Sequence, residues 1–134
     1  MTLQELLRVP YVNGGRDPAT GLDCWGLVRA IRLHYLGGEE LPELGGIKPG
    51  ELRKITRARG ALPPLHGYEK LQAPEHGAIA AAFNGALCSH VGTVLRLDGA
   101  LRVVDTDKGA GGRICPISAF EARFTRVEYY AKKC

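Results

Sequence analysis

The sequence predicts a single α+β domain, residues 1–134, with N-terminal helices packed on a central antiparallel β-sheet. Apolar residues at helical spacing are confined to the first half of the chain, whereas alternating β-type runs follow Pro63-Pro64. Asp98-Gly99, which lies between two such runs, is a strong hairpin signal. With 134 residues, of which 45% are hydrophobic and 24% charged, the composition suits one globular domain with one core.

Two helices are predicted before the sheet, together with a basic segment. Residues 2–8 form a short amphipathic helix that Pro10 stops. A longer helix begins at Cys24 and ends at Gly37-Gly38. Its apolar positions at helical spacing are Leu27, Val28, Ile31 and Tyr35. A further helix is expected within residues 48–62, where the charge indicates a solvated face, with an anion-binding patch as the alternative.

Four β-type runs predict the strands of the sheet. They are AIAAAF, HVGTVLRL, ALRVVDTD and RFTRVEYYA, which begin at residues 78, 90, 100 and 123. If Asp98-Gly99 is a two-residue turn, counting outward pairs Gly92 with Asp105 and His90 with Asp107 on one face of the sheet. Because Gly92 has no side chain, Asp105 has room to lean toward the His90 ring and orient it. Asp107 is the rival for that role.

Cys24 falls where a turn-rich loop enters the longer helix. A cysteine in the first turn lies among unsatisfied backbone N–H groups and at the positive end of the helix dipole, and both favour the thiolate. Asp23 is a plausible cap, and the Cys24 backbone N–H is a natural oxyanion donor. We therefore expect Cys24 to alkylate below the pH of a free thiol, about 8.5. The alternative is that Cys24 is a small buried hydrophobe and His90 a satisfied strand histidine.

A helix-borne thiolate, a sheet-borne imidazole and an orienting polar group, in that chain order, form the arrangement of papain-like cysteine peptidases. Residues 10–28 read PYVNGGRDPATGLDCWGLV and resemble the nucleophile motif of the NlpC family of murein endopeptidases, P-Y-x-x-G-G-x-(variable)-G-x-D-C-x-G-L-V. The run His90-Val91-Gly92 is similar to the H-V-G strand of that family, and residues 74–79 occupy the place of its P-x-x-G-D-L/I segment. The resemblance implies the papain-like NlpC fold over most of the chain.

The resemblance also implies a mechanism and a set of site residues. Cys24 would attack an amide carbonyl of a peptidoglycan stem peptide, and His90 would protonate the leaving amine and then activate water. Asp105 stands at the third catalytic position, where the family usually has His, and would orient His90. By the same resemblance Tyr11 would place its hydroxyl near the thiolate as an auxiliary donor, with a half-buried loop aromatic as the alternative. Ala78 departs from the family's usual Asp.

One subtype of the family matches more closely. The run from Cys24 to Arg29, CWGLVR, lacks the Ser that most cell-wall members carry after the cysteine, and LGG at 36–38 and LP at 41–42 follow. These features resemble the hydrolase part of bacteriophage tail assembly protein K. The resemblance implies a virion tail component that acts in tail assembly or in local cell-wall digestion during DNA entry, with other tail-tip proteins as partners. The start of the chain lacks a signal peptide, so synthesis in the bacterial cytoplasm is expected.

Composition argues against several other classes. The net charge of +4 is modest and spread along the chain, so nucleic acid is not an expected partner. No apolar run approaches the roughly 20 residues that span a bilayer, and membrane insertion is not expected. The four cysteines show neither disulfide nor zinc spacing. Cys88, His90 and Asp105 lack the number and spacing of ligands that a zinc site needs, so no metal or cofactor is expected.

Two other functions stay open: an inert structural tail-tip protein, and a thiol amidase or acyltransferase acting on a non-murein substrate.

Overall fold

The structure is a computed structural model, and it describes residues 1–38, 68–85 and 87–132. The helix predicted within residues 48–62 lies outside the described residues. The described part contains helices on both faces of an antiparallel sheet, which confirms the predicted α+β class. None of the helices in these ranges is long and apolar enough to cross a membrane.

Three helices are present in the described ranges. They are α1 (Leu3–Leu7), α2 (Cys24–His34) and α3 (Ile117–Glu121). In α1 the Thr2 hydroxyl accepts from the Glu5 N–H while the Glu5 carboxylate accepts from the Thr2 N–H, a capping box that satisfies two donors at the helix start. In α2 the Asp23 carboxylate caps the helix by accepting from the Gly26 N–H at 2.7 Å. Both helices begin within a residue of their predicted starts.

Within the described residues, the main sheet has six antiparallel strands in the order β3-β8-β4-β5-β6-β7. Its strands are β3 (Tyr68–Leu71), β4 (Ile79–Asn84), β5 (Leu87–Leu97), β6 (Ala100–Asp107), β7 (Gly111–Pro116) and β8 (Arg126–Lys132). A two-stranded ribbon of β1 (Arg16–Asp17) and β2 (Gly21–Leu22) lies in the loop before α2. The sequence predicted β4, β5, β6 and β8. It missed β3, β7, the ribbon and α3.

The turn between β5 and β6 has the predicted register. Leu97 pairs with Ala100, and the pairing continues outward to Thr93 with Val104. Asp98 and Gly99 have φ angles of 51° and 82°, the left-handed conformations that a two-residue hairpin turn requires. At the far end of β5 the pairing with β4 shifts, since Ala82 lies opposite His90 whereas Phe83 lies opposite Cys88. One extra residue therefore bulges out of β5 directly before His90, and such bulges re-aim the side chains beside them.

The sheet separates two layers of apolar packing. On one face, Leu95 and Val104 pack with Leu27 and Ile31 of α2. On the other face, alternate residues of β4, β5 and β6 pack around Phe120 of α3. Because β4 is covered on both sides, its residues from Ile79 to Phe83 are all buried, which explains a continuous apolar run in place of an alternating one.

Candidate active site

Cys24 is the first residue of α2, and its surroundings are assembled by the loop before the helix. Its side chain is buried, at 2% exposure, in a cluster with Trp25, Val28 and Val91. Asp23 is fully buried and forms an ion pair with Arg16 of β1 at 2.5 Å, in addition to capping the helix. The Cys24 backbone N–H, at the first helical position, has no acceptor within the helix. The sequence therefore predicted the position of Cys24 in the helix correctly.

The expectation that the helix start stabilises the thiolate of Cys24 is wrong for this structure. Burial raises the pKa of the thiol to about 12, and the negative charge of Asp23 adds to the effect. Hydrogen bonds from the backbones of Val91 and Trp25 act in the opposite direction and offset only part of it. Removing a thiolate from water costs more free energy than the few N–H donors of a helix terminus return. Cys24 is therefore a protonated thiol at neutral pH.

His90 follows the bulge in β5, and its ring is buried between polar and aromatic neighbours. Its Nε2 lies 2.7 Å from the Asp105 carboxylate. The ring stacks on Phe124 at 5.8 Å between centroids and meets Phe120, tilted, at 6.0 Å. Since a carboxylate only accepts hydrogen bonds, the neutral ring carries its proton on Nε2 and keeps a lone pair on Nδ1. Nδ1 is then the nitrogen able to act as a base.

The structure brings Cys24 of α2 against β5 at the residue next to His90, without joining the two side chains. The sulfur of Cys24 lies against the backbone of Val91, the residue after His90, on the α2 face of the sheet. The His90 ring lies on the face that carries Phe120. Within the described part of the chain, no hydrogen bond connects the Cys24 thiol with the imidazole.

Asp105 lies at the centre of a polar cluster. It is 1% exposed, and besides His90 it binds Arg113, whose Nε lies 3.0 Å from Oδ1 and whose terminal nitrogen lies 3.1 Å from Oδ2. Arg123 makes a longer contact of 3.4 Å with Oδ2. Burial raises the pKa of Asp105, but the hydrogen bonds from His90 and Arg113 outweigh it, and the net pKa lies below the usual value of the carboxyl. Asp105 is therefore ionised beside His90.

Asp107, the rival for the orienting role, makes no hydrogen bond or ion pair with His90 in the part of the chain that the structure describes. Its side chain is 46% exposed and lies 3.4 Å from Arg113 and 3.6 Å from Arg123. Its Oδ1 also accepts from the Lys108 N–H at 2.8 Å. Of the two carboxylates that the sequence offered, Asp105 is the one within hydrogen-bonding distance of the imidazole, as the space beside Gly92 predicts.

Tyr11 is half-buried in the loop before β1, where it bridges to Leu22. Burial raises the pKa of its hydroxyl to about 12; repulsion from the Asp23 carboxylate, and from the Cys24 thiol at pH values where it ionises, contributes to the rise. The hydroxyl is therefore protonated and able to donate a hydrogen bond. Its role as an auxiliary donor stays a prediction.

Sequence analysis missed four neighbours of the predicted site. Arg113, Arg123, Phe120 and Phe124 come from β7, from α3 and from the segment after α3. The signal that could have found Arg113 is the KGAGG run at 108–112, because a turn there pairs Asp105 with Arg113. Across residues 1–38, 68–85 and 87–132, no group of three or more His, Cys, Asp or Glu side chains is placed to hold a metal ion.

Comparison with known proteins identifies the fold. No protein-family model matches the chain, and no curated protein matches its sequence significantly. Among solved structures, the NlpC/p60 domain of the peptidoglycan hydrolase SagA aligns with a TM-score of 0.57 and 17% identity, over 96% of this chain and 91% of that one. An N-acetylmuramoyl-L-alanine amidase from Bacteroides uniformis aligns with a TM-score of 0.41 and 16% identity, over 78% of this chain and 50% of that one, and this weaker likeness supports no conclusion. The chain therefore has the fold of an NlpC/p60 domain, as its sequence predicts.

Proposed function

We propose that this protein is a cysteine peptidase that cleaves peptide bonds in murein stem peptides. The observation that carries the proposal is the buried His90–Asp105 pair, together with a cysteine at the start of α2 whose sulfur lies against Val91, the residue after His90. A thiol, an imidazole and a carboxylate in this chain order supply a nucleophile, a base and an orienting group for acyl transfer. The solved domain of similar fold belongs to a peptidoglycan hydrolase, which favours murein as the substrate.

The proposed reaction starts from a protonated thiol. Because burial raises the pKa of Cys24 to about 12, the sulfur must lose its proton as it attacks, and Nδ1 of His90 receives it. This step requires the imidazole and the sulfur to approach each other when substrate binds, since catalytic hydrogen bonds often tighten only in the substrate complex. His90 then protonates the leaving amine and later activates the water that hydrolyses the acyl-enzyme, while Asp105 holds Nε2. The Cys24 N–H and the Tyr11 hydroxyl are the donors for the oxyanion.

One observation favours a different function. Cys24 is 2% exposed, as expected for an inert thiol in a structural protein that retains the fold. A thiol amidase or acyltransferase acting on a non-murein substrate is the other alternative, because the same three residues would serve it equally well. Activity on murein separates the proposed function from both alternatives, and activity on a non-murein amide separates the two alternatives from each other.

The experiment is digestion of purified sacculi and of synthetic stem peptides, with the products identified by mass spectrometry. We expect the wild type to release peptide fragments and Cys24→Ala to release none, with both folded by circular dichroism. Cys88→Ala is the matched control, because Cys88 is a second buried cysteine of the same cluster and should not be required. A folded wild type that leaves both substrates intact contradicts the proposal. Cleavage of a non-murein amide by that protein would favour the amidase alternative.

We further propose that the protein is a phage or prophage tail component that reaches the host cell wall aboard the virion. The support is the sequence of residues 24–29, CWGLVR, with LGG at 36–38 and LP at 41–42, which resembles the hydrolase part of tail assembly protein K. Mass spectrometry of purified virions, with and without their tails, tests this proposal. We expect peptides of the chain in intact particles and in isolated tails. Their absence from both would contradict a virion location and leave the hydrolase proposal standing.

A further inference from the structure

Two arginines from separate elements converge on the buried carboxylate of Asp105. Arg113 comes from β7, directly opposite Asp105 in the β6–β7 register, and Arg123 comes from the segment after α3. Arg113 binds both carboxylate oxygens, Nε to Oδ1 at 3.0 Å and its terminal nitrogen to Oδ2 at 3.1 Å. Arg123 makes one contact with Oδ2 at 3.4 Å, and its guanidinium also lies over Phe120 and Phe124. Arg113 therefore makes the two-point contact.

We propose that Arg113 is a positioning residue of this active site, which clamps the Asp105 carboxylate so that Oδ2 stays on Nε2 of His90. The inference rests on the proposed function for its catalytic consequence, although the clamp itself can be tested without substrate. The proposal adds Arg113, which sequence analysis did not predict, to the proposed set of active-site residues Cys24, His90 and Asp105.

The geometry explains why a bidentate partner is needed. Oδ2 receives His90, Arg113 and Arg123, whereas Oδ1 receives Arg113 alone among the described residues. Without Arg113, a fully buried oxygen would have no hydrogen-bond donor, and the carboxylate would be free to rotate about its Cβ–Cγ bond. The planar fork of arginine fixes both oxygens at once, which a single-point donor cannot do.

The charges around Asp105 lead to a second consequence. The groups that face it are His90 from β5, Arg113 and Cys115 from β7, Arg123 from the segment after α3, and Asp107 on its own strand. Burial raises the pKa of Asp105, and hydrogen bonds from His90 and Arg113 keep it low. Loss of Arg113 removes one of the two hydrogen-bonding partners that lower the pKa of Asp105, so the carboxylate takes up its proton at a higher pH. An enzyme that needs ionised Asp105 then loses activity earlier as the pH falls.

The experiment compares Arg113→Gln and Arg113→Lys with the wild type on one stem-peptide substrate across the pH range. We expect Arg113→Gln to lower kcat by about 10- to 100-fold, a loss typical when a residue that orients a functional side chain is replaced, with little change in KM. Its acid limb should move to higher pH. Arg113→Lys keeps the charge without the fork, so it should restore the position of the acid limb and only part of kcat. Arg96→Gln, an exposed arginine of β5, is the control and should match the wild type.

A substrate-free measurement separates failure of the clamp from failure of the proposed function. In protein labelled with 15N at histidine, the wild type should show His90 as the Nε2–H tautomer, and Arg113→Gln should shift that signal or split it between tautomers. If the wild type cleaves no murein and the signal still responds, the clamp stands and the proposed function fails. If the wild type cleaves murein, and neither the signal nor the acid limb responds to Arg113→Gln, the clamp is wrong. Should Arg113→Gln not fold, Arg113→Lys decides, because an unreduced kcat in that variant overturns the clamp.

Discussion

At the residue scale, Cys24 shows how packing reverses a local electrostatic preference. Its position at the start of α2 favours the thiolate, yet its burial raises the pKa to about 12. The negative charge of the capping residue Asp23 acts in the same direction as burial. The resting state is therefore a thiol, and any nucleophilic role depends on a base that takes the proton during attack rather than on a preformed thiolate.

The first prediction at this scale concerns the alkylation of Cys24. The rate of reaction with iodoacetamide should rise with a midpoint above about 8.5, the pKa of a free thiol, because the buried thiol ionises only at higher pH. The measurement is peptide mapping by mass spectrometry in a variant whose other cysteines are replaced by serine. Urea-unfolded protein supplies the reference midpoint for the same thiol. A folded-state midpoint below the unfolded one would show that the helix terminus outweighs burial.

The second residue-scale prediction concerns the two carboxylates of β6. Asp105→Ala should lower turnover by about a hundredfold or more, because His90 loses the acceptor that fixes its tautomer. Asp105→Asn should be intermediate, since an amide oxygen still accepts from Nε2 but carries no charge. Asp107→Ala should change turnover little, because Asp107 is 46% exposed and pairs with Arg113 and Arg123, whereas the hydrogen bond to His90 comes from Asp105. The measurement is the kinetics of all three variants on one stem peptide, with folding checked by circular dichroism. Low turnover in Asp107→Ala together with normal turnover in Asp105→Ala would reverse the assignment of the residue that orients His90.

At the element scale, the β5–β6 hairpin is the part of the fold that assembles the polar pair. The turn at Asp98-Gly99 sets the register, and the register places Gly92 next to Asp105. A methyl group at Gly92 would lie 2.8 Å from a Val103 methyl and 3.3 Å from the Asp105 Cβ. The absence of a side chain at this position thus allows the carboxylate to reach the His90 ring.

This crowding gives the element-scale prediction. Gly92→Ala should lower the free energy of unfolding by about 1–3 kcal/mol, as other overpacking substitutions do, and should also lower turnover because Asp105 is displaced. Gly99→Ala is the matched control: its φ of 82° makes any side chain strained, by about 1–2 kcal/mol, but nothing lies within 4 Å of the new methyl. Urea unfolding and stem-peptide kinetics should show both variants destabilised and only Gly92→Ala impaired in turnover. Equal turnover in the two would contradict the crowding argument.

At the scale of the whole molecule, the sheet divides the interior into two layers and buries ionisable groups in both. Cys24 and Cys88 lie in the layer that packs on α2, whereas His90 and Asp105 lie toward Phe120 and Phe124. The groups toward the phenylalanines are paired with one another and with Arg113. The two cysteines are neutral at neutral pH, and the free energy of unfolding of the protein falls at a pH where they ionise. The two layers therefore respond differently to pH.

The alkaline limb of stability is the prediction that follows. Burial raises the pKa of Cys24 and of Cys88 above that of a free thiol, to about 12, so the unfolded chain releases these protons first as the pH rises. The free energy of unfolding should then fall between about pH 9 and 12 and be independent of these two groups below pH 9. Urea unfolding under reducing conditions at pH 8 to 11 measures the decline. Cys88→Ala should make the decline of the free energy of unfolding with pH shallower. Cys115→Ala, the control at a half-exposed thiol, should reduce the decline less than Cys88→Ala does. A decline that Cys88→Ala leaves unchanged would contradict the prediction.

The sequence by itself determined the features that depend on nearby residues. The start of α2 follows from a turn-rich loop, a capping carboxylate and the apolar spacing after Cys24. The register of β5 with β6 follows from one two-residue turn, and with it the proximity of His90 to Asp105. Both depend on backbone rules that act over a few residues, or over a single hairpin, and therefore need no knowledge of the rest of the chain.

Only the tertiary structure decided the environment of those residues. The ionisation of Cys24 depends on its desolvation by strands far along the chain. The residues near Cys24 in sequence do not predict how much water its side chain loses on folding. Arg113 reaches Asp105 through the pairing of β6 with β7, a strand that the sequence analysis missed, and Arg123 and Phe124 come from beyond β7. A short turn determines which residues are neighbours. The burial of a side chain and the electrostatic effects on it depend on every residue packed around it, and that packing exists only once the chain is folded.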